Sequence, residues 1–285
     1  MYNKEMEQKY SIIIVGGGLA GLTLASTFVG KNIPTLLIDS LPNPNTVEEG
    51  DRRTTALMES SVNFIKNIGV WDADALHATP LETMNIYDIK PLQILGDKIS
   101  FHAKDVGRKF LAQNVNNHAL RLALCNKIST DKNIQHLFNT NADHMEKIGN
   151  LWSITANEIL YKSNLVIGAD GRSSFCRKSV GIKANIEEYN QTAIVFNARH
   201  SASHNNSSTE FMYPEGAFTF VPMDNNESAI VWVEKTEVAK NYIQNKEALF
   251  NTFVRKSQGY FGNLEIISNI QTFPCLLYTS DAADE

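Results

Sequence analysis

The sequence predicts an α/β fold in which a domain built on a parallel sheet is interleaved with a domain built on a mostly antiparallel sheet. Three patterns lead to this prediction. An apolar run, a glycine-rich turn, a helical pattern and a second apolar run fill the first 39 residues, which is the order of a βαβ unit. Apolar and polar residues alternate over residues 192–234, as is typical of antiparallel strands. Between these regions, residues 164–171 return to an apolar strand that ends in glycines.

The N-terminal elements are predicted from their spacing. Tyr10–Val15 is a continuous β-branched run, which is typical of a parallel strand covered on both faces. Leu22–Val29 has helical apolar spacing, and Thr35–Asp39 is predicted to form the second strand. Thr55–Ile68 is predicted to be a helix that stops at a glycine.

The remaining elements divide the chain between the two domains. Strands are predicted within residues 81–102 and at Ile134–Phe138, Leu151–Thr155 and Leu165–Ile167, and helices at Asn117–Ser129 and Val238–Lys256. Turns are expected at Pro214–Gly216 and Asp224–Glu227, and a loop at residues 200–208. We therefore assign residues 10–80 and 105–182 to the parallel-sheet domain, and residues 81–104 and 183–274 to the antiparallel one.

Composition and charge exclude several classes of function. A formal net charge of -5, with no block rich in lysine or arginine, argues against a nucleic-acid partner. The cysteines are too far apart for a disulfide framework or a metal cluster, so we expect free thiols in a reducing cytoplasm. His200 and His204 lie in a Ser/Asn-rich stretch without a matching acidic partner, so no metal site is predicted. The first apolar run is far shorter than the roughly 20 residues that span a bilayer.

Gly16, Gly18 and Gly21 form a G-x-G-x-x-G motif directly after a predicted strand. In such a motif the first glycine permits the turn, the second lets the backbone approach a pyrophosphate, and the third allows close packing of helix on strand. Asp39 follows at the end of the second strand, where a carboxylate can accept hydrogen bonds from ribose hydroxyls. The pattern predicts a dinucleotide site and does not distinguish NAD from FAD. A glycine-rich turn without a ligand is the alternative.

A second motif, Asp170–Gly171, follows the apolar strand at residues 164–167. Taken alone, it is an ordinary turn after a strand. Together with the first motif, it resembles the Asp-Gly fingerprint of the single-Rossmann flavoprotein hydroxylases. The resemblance implies that Asp170 and Gly171 lie near the flavin pyrophosphate and line the approach of the nicotinamide cofactor.

Two further segments narrow the resemblance to the ubiquinone-biosynthesis hydroxylases. Residues 51–58, DRRTTALM, are similar to that family's D-x-R-T-T-A-L segment. This implies that Arg53 meets the phosphate and ribose side of the flavin and that Asp51 is its structural partner. A solvated arginine at a helix start is the alternative. Residues 114–117 resemble the family's flavin-contacting segment and imply such a contact for Asn117, although Asn116 stands where the family has proline. An N-cap role is the alternative for Asn117.

The stretch from Thr209 to Trp232 resembles the family segment that roofs the isoalloxazine ring and the substrate pocket. Any single aromatic residue within it is nevertheless more typical of a core position than of a substrate contact. We make that prediction for Phe211, Tyr213, Phe218, Phe220 and Trp232.

The resemblance implies a Rossmann-type FAD-binding domain interleaved with a mostly antiparallel β-sheet substrate domain. It also implies a FAD-dependent monooxygenase that hydroxylates the ring of a polyprenyl phenol in ubiquinone biosynthesis. NAD(P)H would be a transient reductant, and O₂ would react through a flavin hydroperoxide. No acid–base residue is demanded, so no catalytic residue is named. The expected location is cytoplasmic, with peripheral association with the inner face of the membrane or a biosynthetic complex left open.

Two alternatives remain at this point. One is a flavin hydroxylase of a soluble aromatic acid. The other is a non-catalytic FAD-domain fragment. The second arises because residues 275–285, CLLYTSDAADE, are similar to the translation of a sequencing adapter, so we expect Pro274 to be the last native residue. The resemblance also implies a later fingerprint, Gly-Asp or Gly-Asn with Ala-Ala-His, which is not in this sequence.

Overall fold

A computed structural model describes residues 8–47, 50–90 and 97–279, and their strands form two large sheets and one small sheet. The helices are α1 (Leu19–Thr27), α2 (Glu59–Asn67), α3 (Asn117–Ser129), α4 (Phe175–Ser179), α5 (Thr236–Gln244) and α6 (Lys246–Lys256). The first strands are β1 (Gln8–Val15), β2 (Thr35–Ile38), β3 (Thr54–Leu57), β4 (Thr79–Leu81), β5 (Thr83–Asp88), β6 (Asp97–His102), β7 (Ala112–Asn116) and β8 (Ile134–Leu137). The later strands are β9 (Ala142–Ile148), β10 (Leu151–Ala156), β11 (Ile159–Gly168), β12 (Asn185–His200), β13 (Ser207–Tyr213), β14 (Gly216–Met223), β15 (Glu227–Lys235), β16 (Leu264–Ile266) and β17 (Gln271–Thr279).

The first large sheet has the strand order β8-β2-β1-β11-β10-β9. Its first four strands run parallel, whereas β10 and β9 continue it as an antiparallel meander. Ile13 and Ile14 in β1 are both fully buried, although they point to opposite faces. Ile14 packs with α1 and α3, and Ile13 packs with residues of β10 and β11. The continuous apolar run of β1 therefore belongs to a strand that is covered on both faces.

The second large sheet has the strand order β16-β12-β15-β14-β13-β5-β6, and β17 also pairs with β12. One of its faces packs against α5 and α6 through an aromatic core. That core contains Phe211, Phe218, Phe220 and Trp232, each fully buried, with the half-buried Tyr213 packed against it. These aromatic residues are therefore core residues, as predicted from the sequence. The small sheet, β3-β7-β4, is joined to β14 by a 2.8 Å hydrogen bond from Asn114 Nδ2 to the Pro222 carbonyl.

The α/β fold class is confirmed, but several predicted elements are wrong in detail. The helix predicted at Thr55–Ile68 is wrong at its start, because residues 54–57 form β3, which pairs with β7. The threonines of β3 are β-branched and suit a strand. Helix α1 begins three residues before the predicted start, so that Gly21 lies inside it. The predicted helix Val238–Lys256 is two helices divided at Asn245. Strand β9 was not predicted, because its sequence, ADHMEKI, has little apolar alternation.

The predicted domain boundaries stay a prediction. In the structure, β5 and β6 join the second large sheet although they precede β7 to β11 in the chain. Cys275–Thr279, part of the segment that resembles an adapter translation, form the end of β17, and residues 276–279 lie opposite residues 185–188 of β12. Residues 280–285 lie outside the described residues. Across the described ranges, none of the helices has both the length and the apolar character needed to cross a bilayer.

Candidate functional site

The two glycine motifs meet at the carboxyl ends of β1 and β11. Val15, the last residue of β1, lies opposite Gly168, the last residue of β11. The Ala169 amide then donates a 2.7 Å hydrogen bond to the Val15 carbonyl. Ligands bind at this edge of open α/β sheets. Parallel pairing therefore brings together two motifs that lie far apart in the sequence.

Each glycine of the first motif meets a different steric demand. Gly16 has a φ of +112°, and a Cβ there would lie 2.3 Å from the Ala169 carbonyl oxygen. Gly21 lies in the first turn of α1, where a Cβ would be 1.9 Å from the Gly16 carbonyl oxygen. A Cβ at Gly18 would meet nothing within 4 Å. Gly16 thus permits the turn and Gly21 the close packing, while Gly18 leaves open space in front of the start of α1.

Asp39 lies at the end of β2 and is enclosed by protein donors. Its Oδ1 accepts a 2.9 Å hydrogen bond from the Leu41 amide, and its Oδ2 accepts one of 2.7 Å from Arg121 Nη2. His136 Nε2 lies 3.3 Å from the same Oδ2. Burial acts to raise the pKa of the Asp39 carboxyl, but the hydrogen bonds from His136, Leu41 and Arg121 outweigh it and hold the pKa below its ordinary value.

Arg53 and Asp51 form a two-point ion pair. Arg53 Nε and Nη2 donate to the two Asp51 oxygens at 2.8 and 2.7 Å. The Arg53 guanidinium also lies 4.8 Å from the centre of the Phe273 ring. Its side chain is 44% exposed, so it remains accessible from the cleft. The pairing of Asp51 with Arg53 agrees with the structural role expected for Asp51.

Asn117 connects the Arg53 segment to α3. Its Nδ2 donates to Asp51 Oδ2 at 3.3 Å, and its Oδ1 accepts a 2.6 Å hydrogen bond from the Thr55 hydroxyl. Its backbone amide donates to the Arg53 carbonyl at 2.9 Å. The N-cap of α3 is Asn116, whose Oδ1 accepts from the Ala119 amide at 3.0 Å. The capping role therefore belongs to Asn116 and not to Asn117.

Asp170 and Gly171 form the turn before α4. Gly171 has a φ of +76°, which favours glycine. The Asp170 carboxylate accepts a 2.6 Å hydrogen bond from the Ser174 hydroxyl and one of 3.0 Å from the Cys176 amide. Asp170 thus holds the start of α4 against the end of β11.

Most of the predicted site residues line two neighbouring cavities. One, of about 410 Å³, is lined by Gly16, Gly18, Asp39, Asp170 and Gly171. The other, of about 590 Å³, is lined by Gly18, Asp51, Arg53 and Asn117. Gly18 and Leu41 belong to both walls. Gly21, the remaining predicted site residue, supports the turn from within α1.

Sequence reasoning missed two residues of this region, Arg121 and His136. Both contact Asp39, and Arg121 also lines the larger cavity. Arg121 lies four residues after Asn117 on α3, so its position on the same helical face was the available signal. Nothing comparable in the sequence points to His136, which reaches Asp39 because β8 lies beside β2.

His200 and His204 each have ordinary hydrogen-bond partners. His200 is at the end of β12, with one ring nitrogen 2.7 Å from the Ala202 carbonyl oxygen and the other 3.0 Å from the Ser228 hydroxyl. His204 Nε2 lies 2.7 Å from the Met223 carbonyl oxygen. The His200 ring joins the loop after β12 to the Ser228 side chain, and the His204 ring joins that loop to the Met223 backbone.

Comparison with known protein families identifies the family of this chain. A family model described as "FAD binding domain" matches residues 9–257. The chain is a member of this FAD-binding domain family. The match spans both glycine motifs and the antiparallel sheet through β15, and it ends just after α6.

This FAD-binding domain is similar to curated ubiquinone hydroxylases. It is 28% identical to ubiquinone hydroxylase UbiL of Rhodospirillum rubrum over 230 residues, which is 80% of this chain and 52% of that protein. It is 23% identical to ubiquinone hydroxylase UbiM of Neisseria meningitidis, covering 92% and 58% of the two chains. It is 25% identical to 3-demethoxyubiquinol 3-hydroxylase of Escherichia coli, covering 80% and 58%. The chain spans about half the length of these relatives.

Solved structures share the fold. The flavin-dependent monooxygenase PieE, solved with FAD and substrate, superposes with a TM-score of 0.77 at 17% identity, over 96% of this chain and 51% of that one. The p-nitrophenol 4-monooxygenase PnpA of Pseudomonas putida superposes with a TM-score of 0.74 at 10% identity, over 97% and 70%. The FAD-binding domain described here therefore has a fold found in flavin-dependent monooxygenases.

Proposed function

We propose that this chain is part of a FAD-dependent monooxygenase that hydroxylates the ring of a polyprenylated phenol in ubiquinone biosynthesis, with NAD(P)H and O₂ as co-substrates. The observation that carries the proposal is the convergence of the glycine turn, the Asp170–Gly171 turn and Arg53 around two neighbouring cavities. The names of the relatives support the choice of substrate class.

The residues of the cleft suit a dinucleotide. The start of α1 has free amides, and Gly18 leaves open space in front of them. A helix start of this kind favours anions, so the pyrophosphate of FAD would lie here. Arg53, which is ordered by Asp51, would add a planar guanidinium for a phosphate oxygen. Bound FAD would supply the redox chemistry, receiving electrons from NAD(P)H and passing them to O₂.

The substrate would lie against the face of the second large sheet that is turned away from the aromatic core. In β12 the core side chains Ile194 and Phe196 alternate with Val195. Val195 is opposite Val231, and Val231 is opposite Thr219, so these half-buried side chains form one row. The same Val195 lines a small cavity of about 110 Å³ together with Arg53.

The chemistry of this row favours a phenol over an aromatic acid. Val195, Val231 and Thr219 are uncharged, and this row continues to Glu210 of β13. The next row along the same face contains Asn197, Ala229 and Val221. An aromatic carboxylate would require a cationic partner, and neither row supplies one; Arg53 at the adjoining small cavity is already paired with Asp51. An apolar wall would also exclude water from the reacting centre, which protects reactive oxygen species from unproductive decay.

We also propose that the protein acts in the cytoplasm, in peripheral contact with the inner face of the membrane. Strand β6, at the edge of the second sheet, carries Ile99 and Phe101 on one face, with exposures of 60% and 52%. Val106, in the turn that follows, is 63% exposed. An exposed apolar group at a sheet edge is a common mark of an interaction surface. A polyprenyl substrate would be found at a membrane.

The first test is FAD binding by the chain. The purified chain is titrated with FAD, and flavin fluorescence and the visible spectrum are recorded. Binding at one FAD per chain supports the proposal. A titration that leaves the flavin spectrum and fluorescence unchanged would contradict it.

The second test separates the candidate substrates. NAD(P)H oxidation, H₂O₂ release and ring hydroxylation are measured with a prenylated phenol and with a soluble aromatic acid. Hydroxylation of the prenylated phenol alone is the expected result. Hydroxylation of the acid alone would support the soluble-acid alternative, and FAD binding without turnover of either would support a non-catalytic FAD-domain fragment.

A further inference from the structure

We propose that the cavity between α5, α6 and one end of the second large sheet is a binding site for a neutral phenol, separate from the dinucleotide cleft. The cavity has a volume of about 600 Å³, which is within the range usual for small-molecule sites. Among the residues that the structure describes, none lines both this cavity and either cavity of the cleft. The proposal therefore does not depend on FAD.

The walls of the cavity are largely apolar. The turn between β13 and β14 and the end of β15 form its sheet side, and α5 and the end of α6 form its helix side. Its apolar lining consists of Ile89, Tyr213, Pro214, Val238 and Tyr242. These side chains would remove the ring of a ligand from water.

Two buried charged side chains line the same cavity. Lys256 is 9% exposed and Glu234 is 4% exposed. Lys256 Nζ lies 3.7 Å from Glu234 Oε2 and 4.0 Å from Glu215 Oε2, and neither distance is short enough for a hydrogen bond. The ammonium also lies 4.1 Å from the centre of the Tyr213 ring, which attracts its charge but offers it no oxygen acceptor.

The buried pair therefore has hydrogen-bonding capacity that the described residues do not use. Glu234 Oε1 accepts a 3.1 Å hydrogen bond from the Lys235 amide, but Glu234 Oε2 has no such donor among the described residues. An ammonium has three N–H donors and no acceptor. Buried charges without hydrogen bonds are costly, so a ligand that supplies both an acceptor and a donor would be stabilised here.

A hydroxyl is the group that suits both atoms. It can accept a hydrogen bond from Lys256 and donate one to Glu234 Oε2, and an oxygen about 2.8 Å from each would bridge the 3.7 Å between them. An anionic group would also contact the ammonium, but the Glu234 and Glu215 carboxylates would repel it. The rings of Tyr213 and Tyr242 favour an aromatic body. A phenol combines the hydroxyl with that body.

A purely structural role for the pair makes a different prediction. If Lys256 and Glu234 only joined α6 to β15, their removal would lower stability and leave the ligand preference of the folded protein unchanged. Measuring ligand preference and urea unfolding on the same variants therefore separates the two roles.

The experiment compares three probes that differ only in their polar group: para-butylphenol, para-butylanisole and para-butylbenzoate. Dissociation constants for the FAD-free chain are measured by isothermal titration calorimetry. We expect the phenol to bind at least about tenfold more tightly than the anisole, because the ether cannot donate to Glu234. Tighter binding of the benzoate than of the phenol would show selection of an anion and overturn the proposal. Equal binding of phenol and anisole, or no binding of the phenol, would also overturn it.

Variants locate the site. The double variant Lys256→Met/Glu234→Met removes both buried charges, so it should fold even if Lys256→Met alone does not, and it should lose the preference for the phenol. The matched control is Lys240→Met/Glu237→Met, which removes an exposed pair on α5 and should keep that preference. Val238→Phe retains both buried charges but narrows the cavity, so it should weaken binding of the phenol.

The position of the phenol relative to the cleft can be checked with FAD. Saturating FAD should change the affinity for the phenol by no more than about twofold, as for independent sites. A phenol that binds only when FAD is bound, or a folded double variant that keeps the preference for the phenol, would place the ligand elsewhere and overturn the proposal. A chain that does not bind FAD but binds the phenol would contradict the proposed function and support this inference.

Discussion

Gly18 and Gly21 lie three residues apart, yet a methyl group at each would meet different surroundings. We expect Gly21→Ala to lower the free energy of unfolding by about 1–3 kcal/mol, because its Cβ would press on the Gly16 carbonyl oxygen. Gly18 has an ordinary φ of -71° and open space at its Cβ position. Gly18→Ala should therefore keep stability within about 0.5 kcal/mol.

The substitutions Gly18→Ala and Gly21→Ala also distinguish an effect on FAD affinity from an effect on stability. The methyl group of Gly18→Ala would stand where the pyrophosphate approaches the backbone, so FAD affinity should fall by about tenfold or more. Urea unfolding and FAD titration of both variants check the prediction. Equal effects of the two substitutions on stability would contradict the steric assignment.

A second residue-scale prediction concerns Lys256, which is buried beside Glu234. Its Nζ lies 3.7 Å from Glu234 Oε2, and the two side chains are 9% and 4% exposed. Burial lowers the pKa of the Lys256 ammonium despite the nearby Glu234 and Glu215 carboxylates. Lys256→Met would leave Glu234 buried without its counter-charge, and we expect it to cost about 3 kcal/mol of unfolding free energy.

The matched control for Lys256 is an exposed pair on α5. Lys240 Nζ lies 2.8 Å from Glu237 Oε1, but the two side chains are 62% and 82% exposed. Lys240→Met should therefore change stability by less than about 1 kcal/mol. Chemical denaturation of both variants measures the difference. A cost at Lys256 no larger than that at Lys240 would show that the buried pair contributes little.

At the scale of the elements, strands β1 and β2 and helix α3 could be predicted because their apolar spacing is unambiguous. The errors occurred where a contact between elements decides the conformation. Thr54–Leu57 is a strand because β7 supplies its hydrogen-bond partner. Helix α1 starts at Leu19 because Gly21 must approach the Gly16 carbonyl. Neither partner can be identified from the local sequence.

The break between α5 and α6 gives an element-scale prediction. Asn245 leaves the helical conformation, with φ of -122° and ψ of 89°, and its Oδ1 accepts a 3.0 Å hydrogen bond from the Ala248 amide. Asn245→Ala should lower the free energy of unfolding by about 1 kcal/mol through loss of this cap, whereas Asn245→Asp should retain it. Thermal and urea unfolding compare the two. A stabilising effect of alanine would mean that a continuous helix is preferred.

At the scale of the whole molecule, the motifs predicted the location of the site but not the contacts that each of its residues makes. Seven of the eight predicted site residues line the two cavities, and Gly21 lies in the helix start behind them. Asp39 lines one of these cavities, but its carboxylate also binds Arg121 of α3, which in turn donates to the Gly17 carbonyl. These contacts depend on packing between distant segments, so spacing within any one motif could not reveal them.

The ion pairs of the cleft make the free energy of unfolding of the whole chain depend on pH in the acidic range. The pKa values of Asp39 and Asp51 are lowered, because hydrogen bonds to their charged forms outweigh the burial that would raise them. The unfolded chain therefore takes up protons first as the pH falls. The stabilisation is present above an unfolded pKa of about 4 and is lost as the pH falls towards the lower folded values.

Urea unfolding between pH 6 and pH 3 tests this acid dependence. The loss of stability on acidification should be smaller in the double variant Asp39→Asn/Arg121→Met than in wild type, because that variant lacks the buried carboxylate. Asp51 should contribute less than Asp39, since its side chain is 32% exposed and partly screened by water. Parallel curves for wild type and the double variant would contradict the assignment to Asp39.

The pairing of β1 with β11 also affects the timing of folding during synthesis. Gln8 lies opposite Tyr161, so one edge of the central strand has no partner until more than half of the chain has been made. A ribosome that adds about 5–20 residues per second needs roughly eight to thirty seconds to make the intervening segment. Throughout that interval the isoleucine-rich edge of β1 lacks its β11 partner and is open to pairing with other chains. The glycine turn leaves the ribosome early, but the wall formed by Ala169 and Asp170 follows only after this delay.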